Sequence, residues 1–109
     1  MPIRTPRELL ILRGLTPHSR AHVLQLLGEI PLLRLTSGRR SPRHNLRVGG
    51  SPTSWHLQGR AVDLVGPSYD LAKASGLAWA LRLGPGCTGP EEVLLEDLGQ
   101  PGQHLHVAW

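Results

Sequence analysis

The sequence predicts a single α+β domain, over residues 1–109, with a small and mainly antiparallel sheet. A chain of 109 residues is long enough for one hydrophobic core, because domains typically contain about 100–150 residues. Helical patterns come first along the chain and short apolar strands are grouped later, which is typical of α+β proteins. With 39% hydrophobic and 18% charged residues, the composition indicates a folded globular protein.

Two helices are predicted at the N-terminus. A capping-box pattern with Thr5 as N-cap opens the first helix at Pro6, and Gly14 ends it. Thr16 repeats the start signal, and apolar residues at helical spacing then predict a second helix over residues 17–28.

The rest of the chain alternates between strands and turns, with one further helix. Pro31 stops the second helix and leaves residues 32–36 as a strand. Residues 37–54 are rich in Gly, Pro, Ser and Arg and are expected to form a long loop, which in a compact domain is usually functional. After the loop the patterns predict a strand at 61–65, an amphipathic helix at 68–83 that buries Trp79, and strands at 93–96 and 105–109.

Charge is distributed unevenly between the two halves. Residues 1–60 carry ten arginines and two glutamates, whereas residues 61–109 carry two basic and six acidic residues. This basic first half favours an anionic polymer as partner. The arginines within 39–47 are interrupted by Pro, Gly and Ser and lack interleaved aromatic residues, so we do not expect nucleic-acid binding.

Membrane and targeting signals are not evident. No apolar run approaches the roughly 18–20 residues that a membrane span needs, and the N-terminus does not resemble a secretory signal. We therefore expect a protein made in the cytoplasm, and we expect a monomer. Cys87 is the only cysteine, so a metal site would depend on histidine and carboxylate ligands.

Histidines and one aspartate are the candidates for such a site. His104 and His106 are two residues apart, so strand alternation places both side chains on one face. Asp63 interrupts an apolar strand, where an unpaired carboxylate is costly and a cation removes the cost. His56 lies seven residues before Asp63, across a turn at Gly59, and can converge on the same point. Two histidines with one carboxylate form the ligand set of a catalytic zinc site.

A sequence signature supports this interpretation. Residues 54–63 fit the pattern Ser-x-His-x-x-Gly-x-Ala-x-Asp at every fixed position. The chain resembles the zinc D-alanyl-D-alanine carboxypeptidase and L-alanyl-D-glutamate endopeptidase family, which shares its fold with the hedgehog signalling domain. Residues 36–50 are similar to the segment before the signature in small phage and bacterial members, and Glu96 with residues 104–107 resembles the family's closing strand. The resemblance covers residues 32–109.

The resemblance implies a zinc ion held by His56, Asp63 and His106. Arg40 matches a basic residue that holds substrate, with Arg39 as the neighbour that could take its place. Ser54 is the signature serine, with a loop-shaping or ligand-supporting role beside the substrate.

The general base stays open between two residues. Glu96 matches the family's acidic residue if residues 98–102 form a hairpin excursion, and it would take a proton from water and pass it to the leaving amine. His104 faces the same side as His106 and could supply or support the proton transfer, or stabilise the oxyanion.

The predicted function is hydrolysis of an amide bond in the peptidoglycan stem peptide by a zinc metallopeptidase. Either the D-Ala-D-Ala or the L-Ala-D-Glu bond is compatible with the residues, and a phage lytic or virion-associated enzyme acting on the bacterial cell wall fits the small size. Two alternatives remain: a non-catalytic zinc-binding module of the same fold, and a basic domain that binds nucleic acid.

Overall fold

The computed structural model describes residues 4–38, 42–49, 55–83 and 89–109. Within these ranges four antiparallel strands form one sheet, and helices flank it. The helices are α1 (Pro6–Gly14), α2 (Pro17–Glu29), α3 (Pro42–Arg47) and α4 (Ser68–Leu83), with a 3-10 helix at Trp55–Gln58. The strands are β1 (Arg34–Ser37), β2 (Ala61–Val65), β3 (Glu92–Glu96) and β4 (His104–Ala108). The predicted α+β class is confirmed.

The N-terminal helices begin as the sequence predicts. The Thr5 hydroxyl accepts a hydrogen bond from the backbone N–H of Glu8, and the Glu8 carboxylate accepts one from the N–H of Thr5. Thr16 caps α2 in the same way through the N–H of Ser19. These caps satisfy N–H groups that have no partner within the helix.

Two local predictions were wrong. The first strand starts at Arg34 rather than residue 32, because a turn in which the N–H of Leu33 donates to the carbonyl of Ile30 precedes it. The predicted loop over 37–54 contains α3, which starts at Pro42, where proline's fixed φ suits the first helical position. The turn after α3 is closed by Gly49, at φ 74°, which donates to the carbonyl of Leu46.

The sheet has the strand order β1-β2-β4-β3. In β2 and β4, Asp63 lies directly opposite His106 and Leu64 lies opposite Leu105. Because side chains alternate along strands, Leu64 and Leu105 belong to the buried face, whereas Asp63 and His106 share the other face. The fold therefore separates an apolar core from a polar face on the same two central strands.

The core lies between the sheet and helices α1, α2 and α4. Trp109 is buried with Leu105 and Val107. Trp79 is 42% exposed, which corrects its assignment to the core, since Ala78 takes the inward position and the next residue is rotated by about 100° around the helix. No helix in the described ranges is both long and apolar enough to span a bilayer.

Candidate metal centre

Asp63 and His106 form the centre of the polar face. Their strands are adjacent and their Cα atoms are paired in register. The His106 Nδ1 atom lies 3.1 Å from Asp63 Oδ1, and the His106 side chain is 17% exposed. Strand pairing alone therefore brings two side chains of types that can bind a metal, from distant parts of the sequence, into contact.

His56 approaches the same carboxylate from the 3-10 helix. Its Nε2 atom lies 3.5 Å from Asp63 Oδ2, and its ring centroid lies 5.3 Å from that of His106. The Nδ1 atom is 2.7 Å from the carbonyl oxygen of Gly38, which can only accept a hydrogen bond. The proton of a neutral His56 is thereby placed on Nδ1, and the Nε2 lone pair is directed toward Asp63.

Two glycines allow the backbone to close around His56. Gly59 has φ 68°, and a side chain there would collide with the carbonyl of Gly14 at the end of α1. The Gly59 carbonyl also accepts a hydrogen bond of 3.0 Å from the N–H of Thr16. At Gly38 a side chain would collide with Ile11 of α1. Gly59 of the signature therefore connects the turn after His56 to the N-terminal helices.

The three side chains can bind a divalent metal ion. One donor atom from each of His56, Asp63 and His106 can be chosen so that all lie within 4.8 Å of one another. Two imidazole nitrogens and a carboxylate oxygen are ligands that zinc accepts, and a three-residue set leaves a position open. The donor chemistry and the tautomer that Gly38 imposes on His56 both fit such an ion.

The electrostatics of the cluster agree with this assignment. Burial alone would raise the pKa of Asp63, but its interactions with the imidazoles of His106 and His56 outweigh this effect and hold the pKa well below its ordinary value. The hydrogen bond to Asp63 raises the pKa of His106, against the opposing effect of burial. Asp63 is therefore a carboxylate across the physiological range, and positive charge is favoured beside it.

The two candidates for the general base lie two residue pairs further along the β3–β4 ladder than His106. Glu96 of β3 is paired with His104 of β4, and Glu96 Oε2 is 3.8 Å from His104 Nε2. Both share the polar face with His106 because they differ from its register by two residues. Arg40, its neighbour Arg39, and Ser54 lie outside the described residues, as does Cys87.

Two contacts at the site were not predicted. The first is the Gly38 carbonyl that holds His56, which depends on how α1 packs against the end of β1. The second is Glu92, whose Oε1 atom lies 2.7 Å from His106 Nε2. The sequence indicates that Glu92, Leu94 and Glu96 share one face of a strand. It does not indicate the register of β3 against β4, which brings Glu92 to His106.

Comparison with known proteins identifies the family. The family model for peptidase M15 matches residues 18–86, which include His56 and Asp63. No curated protein and no solved structure matches the chain significantly. The match extends over more than half of the sequence and agrees with the resemblance to zinc D-Ala-D-Ala carboxypeptidases and endopeptidases. The chain belongs to the peptidase M15 family.

Proposed function

We propose that this protein is a zinc peptidase that hydrolyses an amide bond in the stem peptide of peptidoglycan. The observation that carries the proposal is the convergence of His56, Asp63 and His106, whose donor atoms lie within 4.8 Å of one another. When bound there, a zinc ion supplies a Lewis acid that polarises the scissile carbonyl and activates water near neutral pH.

The remaining roles belong to residues around this cluster. Glu96 is the proposed general base, which accepts a proton from the attacking water and delivers it to the leaving amine. His104 lies 3.8 Å from Glu96 and supports that transfer or stabilises the oxyanion. Arg40 orients a carbonyl or carboxylate of the substrate through its guanidinium group. For Ser54 the proposed role is to shape the loop or to support a metal ligand.

The proposed setting is the bacterial cell wall. The ten arginines of residues 1–60 favour attraction to an anionic wall polymer. We propose a monomer that acts as a phage lytic or virion-associated enzyme.

Digestion of purified peptidoglycan tests the activity and identifies the bond. Mass spectrometry of the released fragments would show either loss of a terminal D-alanine or cleavage between L-alanine and D-glutamate. We expect the fragments to disappear when a chelator is added and to return with excess zinc. Fragments that persist unchanged in chelator would exclude the zinc mechanism.

A non-catalytic zinc-binding module is the second candidate, and the position of Glu96 favours it. The Glu96 carboxylate contacts His104, not one of the three clustered residues. Such a module would bind zinc with the same three residues and release no fragments from peptidoglycan.

A further inference from the structure

We infer that Glu92 is a positioning residue that orients His106 for metal binding, a role distinct from the proton transfer proposed for Glu96. The inference rests on the proposed metal set of His56, Asp63 and His106. It follows from one contact, the 2.7 Å distance between Glu92 Oε1 and His106 Nε2.

The two nitrogens of His106 have separate partners. Nδ1 faces Asp63 Oδ1 at 3.1 Å, inside the cluster, and Nε2 faces Glu92 on the outer side. A ring nitrogen can bind a metal only through its lone pair, so the proton of a neutral imidazole must lie on the other nitrogen. By accepting a hydrogen bond from Nε2–H, Glu92 leaves the Nδ1 lone pair available beside Asp63.

The sheet explains why Glu92 can reach this nitrogen. Glu92 is paired with Ala108, and His106 is its diagonal neighbour on the same face of β4. The small side chain of Ala108 leaves this diagonal open to the glutamate. The Glu92 side chain is 50% exposed, so its carboxylate reaches the ring from the solvent side without being buried itself.

A parallel contact holds the other histidine. His56 Nδ1 is fixed by the Gly38 carbonyl, and His106 Nε2 is fixed by Glu92. Each imidazole therefore presents its remaining nitrogen to Asp63. A carboxylate partner also makes an imidazole a stronger donor to the metal, and loss of such a partner typically weakens metal affinity by about 10–100-fold.

Zinc affinity of three variants tests the inference. Competition with a chromophoric chelator at constant pH is expected to show about 10–100-fold weaker zinc binding for Glu92→Ala than for the native chain. Glu92→Gln keeps an accepting oxygen but loses the negative charge, so its zinc affinity should lie between those of the native chain and Glu92→Ala. Glu91→Gln is the matched control, because Glu91 lines a different pocket with Thr16 and Trp109, and its affinity should not change. Native affinity in Glu92→Ala would overturn the inference.

Nitrogen-15 NMR of the zinc-loaded protein provides a second readout, which a merely structural role would not produce. We expect His106 to be metallated at Nδ1 and protonated at Nε2, with faster exchange of the Nε2 proton in Glu92→Ala. Metallation at Nε2 would overturn the inference even if the affinities change.

The two proposals fail differently. A native chain that binds no zinc overturns both, whereas zinc binding that His56→Ala abolishes and Glu92→Ala leaves intact overturns only the role of Glu92.

Discussion

Glu8 is a buried carboxylate and Asp63 a partly buried one, and both have lowered pKa values, but their surroundings differ in kind. The Glu8 carboxylate lies 3.2 Å from Arg4 and 3.5 Å from Arg34, and it accepts a hydrogen bond from the N–H of Leu35. Burial alone would raise its pKa, and these hydrogen bonds with the charge of Arg4 lower it. Asp63 is held by two histidines instead.

The difference lies in whether the positive partner can be exchanged. An arginine is always protonated at physiological pH, so the charges around Glu8 are permanent and join α1 to β1. A histidine can exchange a proton for a metal ion, and the proton that a charged His106 carries on Nδ1 lies on the side that faces Asp63. The Glu8 cluster is therefore structural, whereas the Asp63 cluster is suited to binding a cation.

The largest expected effect is the loss of hydrolysis in Asp63→Asn. The amide removes the charge that two histidines and a cation require, so activity should fall by more than the 10–100-fold typical of residues that only support a ligand. Fragment release from peptidoglycan measures it. Asp70→Asn in the first turn of α4 is the control, and an Asp63→Asn variant as active as that control would contradict the assignment.

Glu96→Ala separates chemistry from metal binding. Removal of a general base typically lowers the rate by about 10²–10⁴-fold. Zinc content should stay at the native level, because the three clustered residues are unchanged. The same rate measurement on Glu29→Ala, at the end of α2, provides the control. Full activity in Glu96→Ala would remove Glu96 from the mechanism and leave His104 as the candidate base.

Glu8→Gln affects stability and leaves the metal site intact. Breaking a buried ion pair leaves an uncompensated charge on Arg4, at an expected cost of about 3–5 kcal/mol in the free energy of unfolding. Urea denaturation of the zinc-free protein measures this cost. Zinc affinity should remain within about threefold of the native value, since sites without shared partners behave nearly independently. If Glu8→Gln kept its stability but lost much of its zinc affinity, the structural role assigned to the Glu8 cluster would be wrong.

The smallest expected effect is the change in the stability of the zinc-free protein with pH. The pKa of His106 is raised on folding. The contribution of His106 to the free energy of unfolding is therefore fully present below the unfolded pKa of about 6.5, and it is lost as pH rises through the folded pKa. The pKa of Asp63 is lowered on folding, so its pH dependence has the opposite sign. The contribution of Asp63 to the free energy of unfolding is present above its unfolded pKa of about 4 and is lost as pH falls from there through the folded pKa.

Denaturation curves between pH 5 and 9 can test the histidine half of this prediction. The loss of stability should be about 1.5–3 kcal/mol, the contribution of a hydrogen bond to a charged group. This pH-dependent loss of stability should be absent in His106→Gln. Zinc affinity should rise over the same range, because the metal displaces a proton. Zinc affinity that falls as pH rises would contradict the account.

Much of the fold was predictable because its signals are local. The caps at Thr5 and Thr16, the apolar run around Asp63 and the alternation at His104 and His106 each depend on a few neighbouring residues. The proximity of His106 to Asp63 was expected from the family resemblance and is explained by the β2–β4 register.

The features that were missed depend on longer-range packing. Glu92 contacts His106 only because β3 is aligned with β4 so that Glu92 pairs with Ala108. Local sequence patterns do not specify that register. The carbonyl of Gly38 reaches His56 only because α1 packs against it through Ile11. A local composition rich in Gly and Pro also concealed α3.

The central claim is that His56, Asp63 and His106 form a single metal site, and zinc stoichiometry tests it most directly. Elemental analysis after zinc loading and dialysis should find one zinc ion per chain in the native protein and in Glu8→Gln. Asp63→Asn and His106→Ala should retain essentially none. Native zinc content in His106→Ala would contradict the account.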